Sequence, residues 1–228
     1  MEATETGLLE FFKQTLQIII PNPDRSYRWT EKECQQLWYD VLRVATDESI
    51  STHFIGTIIY VEYGILKRTP VPRLILIDGQ QRLITVSLLM AALTGMDSKT
   101  GQVNIKHKEI NDLFLFNDGE RGEFRCKLLP VQGDRETFLA IINNEDLPAL
   151  NNSLLAKNYR YFRNRIEDCS VDTDLIYKGI AGLTIMDVSV DRAYENPQSV
   201  CEMLDATGLD ESQNRLIYKW LGLLRSAS

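Results

Sequence analysis

Five consecutive residues, Asp78, Gly79, Gln80, Gln81 and Arg82, bring a carboxylate, a flexible joint, two amides and a guanidinium to one point of the chain. They follow Ile75-Leu-Ile77, an apolar run that reads as a buried strand, and they open a stretch of helix formers from Gln80 to Leu93 that Gly95 ends. Strand, tight turn and helix therefore meet at Asp78-Gly79. Such a junction turns free backbone N–H groups and the positive end of the helix dipole outward together, which suits an anion. Gln80, Gln81 and Arg82 occupy a first turn where structural preference favours Ser, Thr or Glu, and Arg82 opposes the dipole unless a negative partner is present. The plainer alternative makes Asp78 an N-cap, Gly79 a turn residue and the glutamines solvated surface groups.

Two other segments carry chemistry-bearing side chains. Ile20-Pro-Asn-Pro-Asp-Arg-Ser-Tyr-Arg-Trp29 holds two arginines and two aromatics on a proline-stiffened loop, suited either to gripping phosphate beside a flat ring or to pinning a surface loop through Trp29. Lys157-Asn-Tyr-Arg-Tyr-Phe-Arg-Asn-Arg165 is a basic, aromatic helix that could meet a nucleic-acid backbone. A solvated helix face is the better reading, because Glu167 and Asp168 follow at once.

Composition narrows the classes. The chain has 228 residues, 44% hydrophobic and 25% charged, as an ordinary globular protein does, and its formal net charge of −7 argues against nucleic-acid binding through the overall field. The uncharged stretch from Leu83 to Met96 falls short of the ~20 residues a bilayer span requires, and the acidic opening Met1 to Gly7 is unlike a signal peptide. Cys34, Cys126, Cys169 and Cys201 are scattered, and His53 and His107 are the only histidines, so no zinc-type spacing or His-Asn-His metal cluster arises. A cytoplasmic protein without membrane contact is expected, its chemistry resting on carboxylates, amides and arginines.

The elements that position these residues follow from periodicity and breakers. Helices are expected at about residues 8–16, 31–43 (opened by the Thr30-Glu-Lys-Glu33 capping pattern), 80–93, 134–142, 152–166, 197–204 and 211–224. Strands are expected at 17–20, 54–61, 73–77 and 183–190, with a hairpin from 113–116 to 123–129 around Asn117-Asp-Gly-Glu-Arg-Gly122. The helix from Gln80 is apolar on nearly every face, which predicts a central buried helix. One α+β domain over 1–228 is the simplest reading.

Taken in order, Ile20-Pro, Arg25-x-Tyr27-x-Trp29, Phe54-Ile-Gly56 and Ile77-Asp-Gly-Gln-Gln-Arg-Leu-Ile-Thr85 resemble the N-terminal domain family of GmrSD-type restriction endonucleases. Asn158-Tyr-Arg-Tyr-Phe162 and Asn196-Pro to Thr207-Gly208 extend the likeness along nearly the whole chain, although Asp24, Asp205 and Arg215 depart from the family pattern and Asp205 is given no role. The resemblance implies a small mixed sheet surrounded by helices, related to ParB and sulfiredoxin, with a core at about 8–95 and a mainly helical remainder at about 96–228. It also implies a prokaryotic anti-phage module that handles a nucleoside triphosphate with Mg²⁺ and is coupled to DNA and to a nuclease domain or subunit, which is expected to lie outside these 228 residues; an oligomer is compatible with it.

On that basis backbone N–H groups from Gly79 to Gln81 would cradle phosphates, and Arg82 and Arg25 would offset charge in phosphoryl transfer. Asp78 would hold the metal ion, and Gln80 or Gln81 would orient the attacking water. The rival readings are a non-hydrolysing nucleotide or DNA-phosphate sensor that gates a partner nuclease, and a ParB-like DNA nuclease.

Overall fold

The computed structural model describes residues 2–15, 17–21, 25–63, 73–96, 105–147, 151–168 and 172–190. The β-branched and apolar runs of the sequence form a six-stranded mixed sheet: β1 (Glu2–Gly7), β2 (Gln17–Ile19), β3 (His53–Tyr63), β4 (Arg73–Asp78), β5 (Leu128–Leu129) and β6 (Leu183–Val190). Their spatial order is β1-β6-β3-β4-β2-β5. β1 pairs antiparallel with β6 and β3 with β4, whereas β3–β6, β4–β2 and β2–β5 are parallel.

Seven helices are found among the described residues: α1 (Leu8–Gln14), α2 (Glu31–Thr46), α3 (Gln80–Thr94), α4 (Ile105–Glu109), α5 (Gln132–Ile142), α6 (Leu154–Asp168) and α7 (Thr173–Ala181). α3 is the central helix that its composition predicts, since every residue from Leu83 to Leu93 is buried. One face of the sheet, through Ile18, Ile58 and Leu76, shares a core with Phe12, Trp38, Leu88, Phe138 and Phe162 from five helices. Burying these large apolar side chains at roughly 25 cal/mol per Å² supplies the main drive for folding. α2 starts as its capping pattern requires, with the N–H of Thr30 donating to the Glu33 carboxylate at 2.7 Å.

Parallel pairing decides where the site falls. Because β4, β2 and β5 run in the same direction, the chain leaves all three at the same end of the sheet. α3 follows β4 there, the segment 25–30 follows β2, and α5 follows β5. β3 is antiparallel to β4, with Ile59 opposite Asp78, so the early part of β3 lies at this end as well. Crevices at the carboxyl ends of parallel strands are the usual ligand positions of such sheets.

Several expectations are corrected. The sheet takes a strand at Leu183–Val190 where one is expected, and adds β1 (Glu2–Gly7), where none is. The hairpin expected at 113–129 is reduced to one antiparallel bridge, Phe116 to Cys126. Ile110–Leu115 instead continues α4 as a wider π-helical turn, which buries Ile110, Phe114 and Leu115, and Leu128–Leu129 pairs in parallel with β2. The turn itself is kept, with the Asn117 N–H on the Arg125 carbonyl at 2.7 Å, while burial of Ile110, Phe114 and Leu115 favours a helical turn over an extended arm before it. α7, between Thr173 and Ala181, was not anticipated. The helices expected at 197–204 and 211–224, and Asp24, Asp205 and Arg215, lie outside the described residues.

Candidate functional site at the β4–α3 turn

Gly79 is the N-cap of α3 and adopts φ +94°, a left-handed conformation that ordinary residues disfavour. A Cβ there would also collide with Ile58 Cδ1 and sit 3.0 Å from the Thr57 carbonyl oxygen. Glycine lets the chain turn sharply from β4 into α3 while pressed against β3. The first helical bond runs from the Leu83 N–H to the Gly79 carbonyl at 3.1 Å. The N–H groups of Gln80, Gln81 and Arg82 precede it, and Gly79, having no side chain, cannot cap them. Asp78 thus ends β4 rather than capping the helix.

The side chains of the motif divide sharply. The Asp78 carboxylate makes no hydrogen bond or ion pair with any described residue. The Gln80 Oε1 atom is buried and finds no donor among the described residues, a costly arrangement that a bound donor would relieve. Arg82 donates from Nη1 to the Thr57 carbonyl at 2.9 Å and lies against Gly56, itself at φ +114° in a bulged part of β3. Gln81, in contrast, is committed to the segment 25–29: its Oε1 accepts from the Arg28 and Trp29 N–H groups at 2.9 and 3.3 Å, and its Nε2 donates to the Ser26 carbonyl at 3.1 Å.

Arg25 is buried and donates from Nη1 to the carbonyl of Ile77, the residue before Asp78. The segment 25–30 is therefore bound to the turn at both ends. Tyr27 fixes its middle, with its N–H on the Asp134 carboxylate at 2.6 Å and its hydroxyl 2.7 Å from Thr85 Oγ1. Asn158 on α6 donates to the Tyr27 hydroxyl and to the Trp29 carbonyl, both at 2.9 Å. Sequence reasoning gave no role to Tyr27, Thr85 or Asn158 beyond the motifs that contain them. The available signal was Asn158 itself, an amide on the apolar face of α6 between Leu155 and Phe162.

The basic face of α6 supports the solvated-face reading. Arg163 and Arg165 bond the hydroxyls of Tyr159 and Tyr161 one turn earlier on the same helix, at 3.4 and 3.2 Å, and Arg163 also pairs with Glu167 at 3.5 Å. Cys34 and Cys126 are buried free thiols, and burial pushes both up, Cys34 to about 12, so neither serves as a thiolate at neutral pH. Among the described residues no group of three or more His, Cys, Asp or Glu could hold a metal ion. A single carboxylate such as Asp78, which no described residue engages, nonetheless suits magnesium, which keeps most of its waters and takes one or two carboxylates beside phosphate oxygens. No helix among the described residues is long and apolar enough to cross a membrane.

A mixed sheet flanked by helices, with a glycine-hinged turn that places Asp78 and Arg82 at the N-terminus of its central helix, defines an α+β protein. The family model of the GmrSD restriction endonuclease N-terminal domain matches residues 8–218, and the chain belongs to that family. No match was found among curated proteins.

Proposed function

We propose that this domain binds a nucleoside triphosphate at the β4–α3 turn and hydrolyses it as the nucleotide-handling module of a modification-dependent restriction system. The observation that carries the reading is a group of contacts at one point that no described residue takes up: the N–H groups of Gln80, Gln81 and Arg82, the Asp78 carboxylate and the buried Gln80 Oε1. The N–H groups and the helix dipole receive phosphate oxygens. Arg82, held on the Thr57 carbonyl, offsets negative charge as the terminal phosphoryl group leaves.

Gln80 orients the attacking water by accepting one of its hydrogens, a role closed to Gln81, whose amide is committed to the segment 25–29. Arg25 holds the end of β4 and contributes positive charge close behind Asp78. A magnesium ion on Asp78 would neutralise the charge of the β- and γ-phosphates. DNA and a nuclease domain or subunit are the expected partners of such a module.

Calorimetric titration of the full chain with GTP, ATP, CTP and UTP in the presence of magnesium, followed by phosphate-release measurements on the same samples, tests the proposal. Binding with release supports it, and absence of binding to all four defeats it. Binding without release supports the second reading, a sensor. That reading draws on one observation: apart from Asp78 the turn offers only amides and a guanidinium, none of which takes a proton from water.

A further inference from the structure

We propose that Asn158 and Tyr27 are positioning residues of the β4–α3 site, acting through Thr85 and Gln81; the consequence for turnover rests on the nucleotide-hydrolysis reading above. The Thr85 hydroxyl donates to the Gln81 carbonyl at 2.7 Å, so its oxygen accepts the Tyr27 proton, and the Tyr27 oxygen in turn accepts from Asn158. A directed relay thus runs from α6 through the segment 25–30 into the first turn of α3.

The relay is sealed. Asn158 and Thr85 are buried at 1% and 0% exposure and Tyr27 at 5%, so water does not replace a missing partner. Burial also pushes the Tyr27 hydroxyl far above its ordinary range, which keeps it a donor at every pH of interest.

Gln81 joins two branches of this arrangement. Its backbone carbonyl receives the relay, and its side chain clamps the Ser26, Arg28 and Trp29 backbone from the other side. Asn158 closes the circuit by holding the Trp29 carbonyl with its second amide hydrogen. Gln81 is flanked by the two side chains with open contacts, Gln80 and Arg82. Rotating the first turn of α3 by even a fraction of an ångström moves both, whereas rigid first-turn geometry keeps them aimed at one place.

Tyr27→Phe, Asn158→Ala and Thr85→Val each cut the relay at a different link, Thr85→Ser restores its hydroxyl, and Lys157→Ala on the exposed side of α6 is the control. The first readout needs no ligand: hydrogen exchange of the Arg28 and Trp29 amides should rise about tenfold in the three cut variants, while amides in the buried half of α3 stay protected. The second is phosphate release from GTP and ATP, where the maximal rate should fall about tenfold with KM changed less than about twofold, and Thr85→Ser should recover most of it.

Unchanged exchange in all three variants overturns the proposal, as does a uniform rise across α3, which would mark general destabilisation. Raised local exchange with undiminished turnover also overturns it. If wild-type protein neither binds nor hydrolyses any of these nucleotides, the functional reading falls by itself, and the local exchange of the variants alone decides whether the relay positions the turn. Should Tyr27→Phe fail to fold, the Thr85→Val and Thr85→Ser pair carries the test.

Discussion

The guanidinium of Arg82 lies against the bare Cα of Gly56, with Cζ only 2.7 Å from where a Cβ would stand. Two motifs 26 positions apart in the sequence are thereby one structural unit: the glycine exists to admit the arginine, and the β-bulge around it turns the Thr57 carbonyl toward Nη1. Gly56→Ala meets both a positive φ and the guanidinium. It should lower stability by about 1–3 kcal/mol in urea unfolding, and adding Arg82→Ala should return the part due to collision.

Gly79→Ala is expected to be more severe. Its methyl would enter the van der Waals envelope of Ile58 Cδ1 and of the Thr57 carbonyl oxygen on a residue already at positive φ. The combined backbone and packing cost is about 2–4 kcal/mol, measurable as a shift in urea midpoint at unchanged m-value.

Gln80 and Gln81 are chemically identical neighbours with opposite expected behaviour. Gln80→Ala removes a buried acceptor that has no donor among the described residues, so stability should stay the same or rise by up to about 1 kcal/mol while phosphate release falls. Gln81→Ala removes three hydrogen bonds to the segment 25–29 and should cost about 1–2 kcal/mol, because these partly accessible groups can return to water. Parallel chemical denaturation and phosphate-release curves for the two variants check the contrast.

Arg82→Ala should reduce phosphate release by on the order of a hundredfold, the usual loss for one charge-stabilising donor. Arg82→Lys should restore little. An ammonium keeps the charge but cannot hold the Thr57 carbonyl and still present a planar fork to phosphate oxygens. Single-turnover rates with saturating GTP and with ATP provide the measurement.

Lys127 supplies a pH dependence remote from the site. It is buried, donates to the Thr15 carbonyl at 2.6 Å, and burial pushes its ammonium from 10.5 down to about 8. The unfolded chain therefore holds this proton up to a higher pH than the folded chain does. The cost of burying the charge is fully present below about pH 8 and disappears as the pH rises toward about 10.5, so stability attributable to this residue increases with pH. The difference in unfolding free energy between wild type and Lys127→Met should shift in favour of wild type by about 2 kcal/mol between about pH 8 and about pH 10. A pH-independent difference would contradict this.

Much of the positioning scaffold was legible because it depends on local order. The uninterrupted apolar character of Leu83–Leu93 predicts burial on all sides, and Thr30 with Glu33 marks the start of α2. The strand, turn and helix around Asp78-Gly79 follow from one β-branched run, one glycine and a series of helix formers. β1 was illegible for the opposite reason. Glu2-Ala-Thr-Glu-Thr-Gly7 has little strand propensity of its own, and it is extended because β6 offers it an open edge to pair with. Leu113–Leu115 likewise takes the helical form its buried neighbours allow rather than the strand expected there.

The sequence by itself determined the family, the turn and which residues gather there, since the carboxylate, glycine, amides and arginine are consecutive and their order is covalent. Only the tertiary structure decided how those residues divide their work. Gln80 and Gln81 differ in nothing but a rotation of about 100° around α3, yet that rotation aims one at the segment 25–29 and leaves the Oε1 of the other without a donor among the described residues. Asn158 joins the same network from 131 residues beyond Tyr27, a proximity created by packing α6 beside α3 and invisible to any local pattern.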